Sequence, residues 1–444
     1  MLAAFRNILK VKELRTKVFW TFAIIAIVRL VQNVPCPGID TNELRNMIEE
    51  IKRTSGGGVF NMFNMFSGGA LQGLAIGVLG IMPYITASII MQLMTPVVPQ
   101  LERMQQEGEH GRQQYQNITR WITIAICIVQ GWMLAAGMQA GTLPGMNQSF
   151  KIVMNPGTGF MLMTVTVMTG GALLIMWLGE QISEKGLGNG ASLIITISII
   201  SSMPGALGIL YDKWRSDEYT IIHIVLLFAV FIGITIGTVA LVQGMRKLPI
   251  KYARRAVGDQ MVQGESTYLP LKVNHAGVMP IIFASALMMF PPLLFAQLKW
   301  TGAGKYFAFG TNSYVIIYAA MTLIFTFFWV ATQFNPIKIA DDLKRSGGFI
   351  PGYRPGEPTA KFLNQTMTKI TVAGGICLTV LAVIPIMMHS ALKTDFTVTQ
   401  FFGGTSLLIM VGVVLQTMQQ IEVQLVQHNY EGFVSSGRLS SRMG

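Results

Sequence analysis

Apolar residues in this chain come in long unbroken stretches, not in the short alternations of a water-soluble sheet protein. Ten stretches run about 20 residues each, the length that crosses ~30 Å of hydrocarbon as a helix. They begin near Val18, Gly73, Ile118, Phe160, Leu187, Ile221, Ala276, Tyr314, Ile370 and Ser406. Helices are the expected form, because hydrocarbon offers no water to an unpaired backbone amide. One further apolar segment, Gly56 to Leu71, is bracketed by glycines and too short to cross. Irregular backbone at such depth must lie against protein or in a cavity. The pattern therefore predicts either a re-entrant short helix on glycine hinges or an interfacial helix outside the bilayer.

A segment of the second stretch recurs in the seventh. Gly80-Ile81-Met82-Pro83-Tyr84-Ile85-Thr86-Ala87-Ser88-Ile89-Ile90-Met91 aligns with Gly277-Val278-Met279-Pro280-Ile281-Ile282-Phe283-Ala284-Ser285-Ala286-Leu287-Met288, with seven of twelve positions identical. The shared frame of Gly, Met, Pro, Ala and Ser is too specific for chance apolar similarity, and marks a duplication. Each copy is the second span of a five-span half. Five is odd, so the halves cross the membrane in opposite directions, an arrangement that places functional sites at the interface between repeats. The expected division is residues 1–215 and 216–444. Pro83 and Pro280 are expected to lie within their spans, each removing a helix hydrogen bond and softening the helix there.

Composition and charge agree with a membrane protein. Charged residues are 12% of the chain and mean hydropathy is +0.50, against about 25% charged in soluble domains. With a cytoplasmic start, the inner segments hold 23 Lys and Arg and the outer ones 9. That asymmetry predicts cytoplasmic termini at both ends. Residues 1–17, with Arg6, Lys10, Lys12, Arg15 and Lys17, read as a basic amphipathic flank without a cleavable signal peptide. Arg29 sits within the first span, about six residues from its outer end, where it is expected to snorkel.

Two cytoplasmic loops are long and basic, 244–273 and 335–369. Leu248, Ile250 and Tyr252 alternate in the first and predict a hairpin. The Gly and Pro density around Gly347 to Gly356 in the second predicts a shaped loop with fixed turns. Both read as a docking surface for RNA phosphate or an acidic protein face.

Catalytic chemistry is not legible. Gly186-Leu187-Gly188-Asn189-Gly190 follows no strand, so a nucleotide site is not expected. There is no Walker motif, no acid pair at catalytic spacing and no His/Cys ligand cluster, and Cys36, Cys127 and Cys377 are far apart. The chain is therefore expected to be no enzyme, to hold no metal or cofactor, and to draw its energy from outside. A secondary solute transporter with inverted repeats is the competing reading, but it would need ionisable groups near the midplane. An apolar constriction that blocks ions by dewetting suits a bulky, variable substrate better.

Six segments carry a resemblance to a known family, in order along nearly the whole chain. They are Phe63 to Leu71, Gly80 to Ile85, Gly179 to Gly190, Ser266 to Asn274, Gly348 to Gly356, and Gly403 to Ile409. The chain resembles the SecY family of protein-translocase channel subunits. The resemblance implies an all-α, polytopic membrane protein with ten transmembrane helices in two inverted five-helix halves around a central pore, closed by a short plug helix. It implies transport of unfolded preproteins across a bacterial cytoplasmic membrane, with lateral release of apolar segments into lipid.

The plug would be residues of about 60–70, including Phe60, Phe63, Met65, Phe66, Ser67, Gly68 and Gly69. The pore ring would be Ile81, Ile85, Ile195, Ile282 and Ile409, with Ala191 departing from the pattern at a sixth position. The lateral gate would involve Pro83, Thr86, Ser88, Pro280, Ser285 and Phe290. Arg354, with Arg254 and Arg255, would face a SecA ATPase or a ribosome, with possible contact to ribosomal RNA. The implied partners are small SecE-like and SecG-like membrane subunits, preprotein signal sequences and membrane lipid.

Overall fold

The structure is a computed structural model that describes residues 11–40, 42–44, 46, 64–139, 152–252, 255–257, 260–262, 267–297, 305–307, 311–392, 394–403 and 405–436. The chain forms two compact units, Met1–Asp212 with Val413–Gly444, and Lys213–Gly412.

In the first unit the helices are α1 (Lys12–Asn33), α2 (Met82–Met94), α3 (Pro99–Gln106), α4 (Glu109–Gln139), α5 (Thr158–Lys185) and α6 (Gly190–Arg215). Helices α4 and α5 pack side by side, with α2 on α4 and α1 on α5. Their shared core holds Leu71, Leu74, Val78, Leu79, Cys127, Met138, Met168 and Ala172. Arg120 on α4 makes a two-pronged bridge to Glu180 on α5, 3.1 and 2.7 Å long.

The second unit begins with α7 (Ile221–Gln243), followed by strands β1 (Met245–Tyr252), β2 (Arg255–Val257), β3 (Gln260–Val262) and β4 (Thr267–Lys272). Helices α8 (Met279–Gln297), α9 (Asn312–Gln333) and α10 (Pro336–Arg345) follow, then β5 (Gly348–Phe349), α11 (Glu357–Leu392) and α12 (Phe396–Gly403). The last helix, α13 (Thr405–Ser436), runs from this unit into the closing segment of the first. Ile234, Ile281, Ala284, Tyr318, Leu378, Ala382 and Leu408 form the core here. Thr311 and Asn335 cap α9 and α10, their side chains accepting from the amides of Tyr314 and Lys338.

Among the described residues, seven helices are long and apolar enough to cross a membrane, and α2 and the Met279–Met288 stretch of α8 are shorter apolar helices. The chain is a multi-pass membrane protein. Threonine is the commonest polar residue inside these helices, and most of its hydroxyls turn back on their own backbone. Thr86, Thr123, Thr196, Thr238, Thr322, Thr326, Thr371 and Thr417 each donate to the carbonyl four residues earlier. A hydroxyl so engaged can face hydrocarbon without an unpaired donor.

The structure corrects two expected boundaries. The second apolar run starts at Gly73, but its helix starts at Met82. The second basic loop is expected to run to Lys369, whereas α11 already starts at Glu357 and carries polar turns that a hydropathy window does not register. Within the helical fold the expected hairpin is present, β1 pairing antiparallel with β4 and β5, and β2 with β3.

Candidate functional site

Residues 64–81 span the end of the short glycine-bracketed segment and the start of the second transmembrane run, yet most of them are folded as successive turns. The cause is glycine. Gly68, Gly69 and Gly80 adopt φ of +71°, +90° and +57°, and Leu74 joins them at +40°, a region L side chains enter at a cost of about 1–2 kcal/mol. The backbone nevertheless keeps its hydrogen bonds. The amides of Gly68, Gly69, Gln72, Ala75, Val78 and Gly80 donate to the carbonyls of Met65, Asn64, Gly69, Ala70, Ala75 and Gly77. The Asn64 side chain accepts from the amide of Gln72, while the Ser67 hydroxyl accepts from the amide of Leu71 and donates to the Asn64 carbonyl. Irregular backbone is tolerated in a membrane protein only when satisfied and enclosed in this way.

The later half of the segment is fixed to α5 and to the chain just after α1. The amides of Cys36 and Ile76 donate to the carbonyls of Leu74 and Val34, at 3.0 and 2.9 Å. Gly171 on α5 lets the Ile76 carbonyl come so near that an added Cβ would lie 2.4 Å from its oxygen. Ala70, Leu74, Ala75 and Val78 are wholly buried.

The earlier half meets a side chain that snorkelling does not describe. The Arg29 guanidinium donates to the Gly68 carbonyl at 2.9 Å, to the Gln32 side-chain oxygen at 2.9 Å, and to the Ile197 carbonyl on α6. The Gln32 amide reaches the Ser198 hydroxyl at 3.4 Å. The expectation that Arg29 anchors at the bilayer edge is overturned, because carbonyls from two other segments converge on it.

The repeated frame has the same local geometry twice. Gly80 and Gly277 both have positive φ, and the helices begin two residues later, at Met82 and Met279. Pro83 and Pro280 are therefore second residues of their helices. The expectation that they break an internal hydrogen bond is wrong, since amides of the first turn have no intrahelical acceptor to lose. The lead-in to the second copy is a strand end. Asn274 donates to the Gly277 carbonyl at 3.0 Å, and Gly374 on α11 would place a Cβ 2.4 Å from the Val273 oxygen. Burial, helped by Lys272, holds the nearby His275 imidazole below its ordinary pKa, so it stays neutral.

Of the residues singled out in the sequence, Met65, Phe66 and Ser67 are buried in the folded segment, and Gly68 and Gly69 form its tightest turn. Ile81 immediately precedes α2 and Ile85 lies one turn on; both are buried, with an Ile81 methyl close to Gly179 on α5. Ile195 is buried on α6, one turn after the half-buried Ala191. These belong to the first unit, and Ile282 and Ile409, both buried, belong to the second. Thr86 bonds back to Met82, and Ser88 borders a polar cavity of about 350 Å³ with Tyr84, Arg112 and Glu180. Ser285 donates to the Ile282 carbonyl, while Phe283 packs on Phe325 and Trp329 of α9. Phe60, Phe63 and Arg254, and the side chains of Phe290 and Arg255, lie outside the described residues.

The basic loops are shaped as the alternation predicted. Leu248 and Ile250 of β1 point inward and are buried. Gly347, Gly352 and Gly356 all take positive φ, and Tyr353 stacks on Phe362 with ring centres 4.1 Å apart. Arg354 is exposed between Gly352 and Gly356, its own carbonyl accepting from the Thr359 hydroxyl. Among the described residues no group of His, Cys, Asp and Glu is placed to hold a metal.

The model of the SecY family matches residues 75–418. Protein translocase subunit SecY of Chlamydia trachomatis is 39% identical, over 99% of this chain and all of its own length. The subunits of the same name from Mycobacterium tuberculosis and Streptomyces coelicolor are 40% and 41% identical, over 98% of this chain. Among solved structures, a protein-conducting channel superposes with a TM-score of 0.62 at 19% identity, covering 93% of each chain. Sec61 in the canine ribosome-channel complex superposes at 0.58, also at 19% identity. The architecture is that of these channels, and the chain belongs to the SecY family.

Proposed function

We propose that the chain is the protein-conducting channel of a bacterial cytoplasmic-membrane translocase, passing unfolded preproteins outward and releasing apolar segments sideways into lipid. The observation that carries this reading is the folded segment 64–81. It is backbone-satisfied, buried and set ahead of a helix that begins halfway along an apolar run. Such a piece is fitted to fill a pore in the resting state, as a plug made of residues 60–70.

In this reading Ile81, Ile85, Ile195, Ile282 and Ile409, with Ala191 in the sixth place, form the seal. Their side chains offer water and ions no partner, so the constriction closes by dewetting and still yields to any polypeptide. Helices α2 and α8 form the gate through Pro83, Thr86, Ser88, Pro280, Ser285 and Phe290. A signal sequence with ~10 leucine-like residues gains about 0.3–0.6 kcal/mol from each on reaching lipid. The sum, several kcal/mol, is the free energy available to open the gate.

Both termini and the loops 244–273 and 335–369 face the cytoplasm. Arg254, Arg255 and Arg354 there meet the SecA ATPase or the ribosome, which supply the drive for a passive pore that is itself no enzyme. The solved ribosome-channel complex of Sec61 supports the ribosome as a partner, and SecE-like and SecG-like subunits complete the assembly. A solute transporter is disfavoured, because Arg29 is engaged by backbone carbonyls instead of standing free for a substrate.

The test is capture of an arrested secretory chain in the intact complex. A photo-crosslinker at Ile282 should trap it, and one at the exposed Ile316 of α9 should not. Equal trapping at both positions, or none at Ile282, would overturn the reading.

A further inference from the structure

We propose that Arg29 is the latch of the plug, a positioning residue that sets how often the segment leaves its seat. The proposal rests on the plug reading above and adds to it the contact that holds the closed state.

Three observations carry it. The hydrogen bonds described for residues 64–72 close within the segment or on the adjoining Leu74 and Ala75, and the bond from Arg29 to the Gly68 carbonyl ties it to α1. Arg29 also grips the Ile197 carbonyl on α6 and the neighbouring Gln32. The guanidinium thus stays in position when the segment departs, ready to bind it again. Gly68, finally, is shaped to the latch. A Cβ there would lie 2.7 Å from the Gln32 oxygen, 2.8 Å from Arg29 Nη1 and 2.9 Å from the Ser198 hydroxyl, at a φ of +71°. A side chain at position 68 and a closed latch cannot share that space.

The chemistry suits a catch that must release. Arginine keeps its charge in a half-buried site, and its planar fork can serve several carbonyls at once. Its acceptors among the described residues are neutral, so the bonds are charge-assisted without being ion pairs. Each can be exchanged for water when the pore hydrates. Removing one such bond is expected to raise the open population about ten-fold.

The experiment uses the full chain in its membrane complex, with Ala70→Cys as reporter in a Cys377→Ala background. Ala70 is fully buried and its side chain has no polar role, whereas Cys36 and Cys127 are buried. A membrane-impermeant maleimide reports departure of the segment. Labelling should be slow with Arg29 present, about ten-fold faster in Arg29→Gln and in Gly68→Ala, and intermediate in Arg29→Lys. Arg29→Gln should also export a precursor with a defective signal sequence while exporting the normal precursor at the parental rate, which a merely structural lesion would not do.

An arrested normal preprotein is the reference. If it speeds labelling but Arg29→Gln and Gly68→Ala do not, the latch is wrong and the plug reading stands. If the variants speed labelling but the preprotein does not, the latch contact holds and the plug reading fails. Should Arg29→Gln not accumulate, Gly68→Ala tests the same bond with the cation in place, and unchanged labelling in it overturns the latch.

Discussion

The two copies of the repeated frame can be set side by side. Each has a glycine with positive φ, a helix that begins two residues later, and a proline as that helix's second residue. They differ in what comes before. The first is approached through turns folded on glycines and buried against α1, α5 and α6, the second through strand β4 and a short turn held by Asn274. Identical residues thus yield identical helix starts, while the lead-in, where the sequences diverge, decides what each helix is attached to. One lead-in is a folded, buried segment; the other joins α8 to the β1–β4 hairpin.

The comparison is broken most severely at the glycines on which the lead-ins rest. Gly171→Ala drives a methyl to 2.4 Å from the Ile76 oxygen, and Gly374→Ala does the same to Val273. Overpacking of ~3 kcal/mol should outweigh the ~1 kcal/mol of helix propensity gained, a net loss of about 2 kcal/mol for either. Thermal unfolding of the purified chain would show it, and an unchanged midpoint in one variant would mean that its lead-in is free to shift.

Smaller effects are expected at Gly80→Ala and Gly277→Ala, about 1 kcal/mol each for an L residue in the left-handed region. Space around Gly277 is open, but at Gly80 a Cβ would come 3.5 Å from the Ser67 Cα. Any excess loss in Gly80→Ala on the same assay therefore measures the folded segment alone. The smallest changes are expected for Pro83→Ala and Pro280→Ala, within ~0.5 kcal/mol, because a first-turn proline restrains mainly the unfolded chain. A loss above about 2 kcal/mol in either would restore the idea of a proline-softened gate, since that is the scale of an interior helix proline.

Much of the fold is legible from hydropathy because lipid demands long apolar helices, and α4 to α7 lie where their runs lie. What hydropathy cannot register is backbone sign. Gly68, Gly69, Leu74 and Gly80 look like members of an apolar run, and only their φ values show that the helix has not yet begun. The placing of Pro83 inside a helix comes from the same error. Arg29 is visible as a charge in a span, but its partners lie 39 and 168 residues away, and no local pattern brings Gly68 and Ile197 together. The hairpin at Leu248 and Ile250 is readable because alternation of period two is a local signal. The start of α11 is not, since its first turns are polar.

The threonine hydroxyls that close on their own helices have a further consequence. A helix that satisfies its polar groups internally has little polar claim on its neighbours. In lipid, apolar contact between helices gains nothing over contact with acyl chains. Cohesion then falls to shape, at places such as Gly171 against Ile76 and Gly374 against Val273, where backbones touch. Shape-held contacts of this kind are insensitive to ionic strength but sensitive to how tightly the surrounding chains are ordered. The bilayer's own stiffness thus becomes a control variable for this protein, one that a detergent micelle removes.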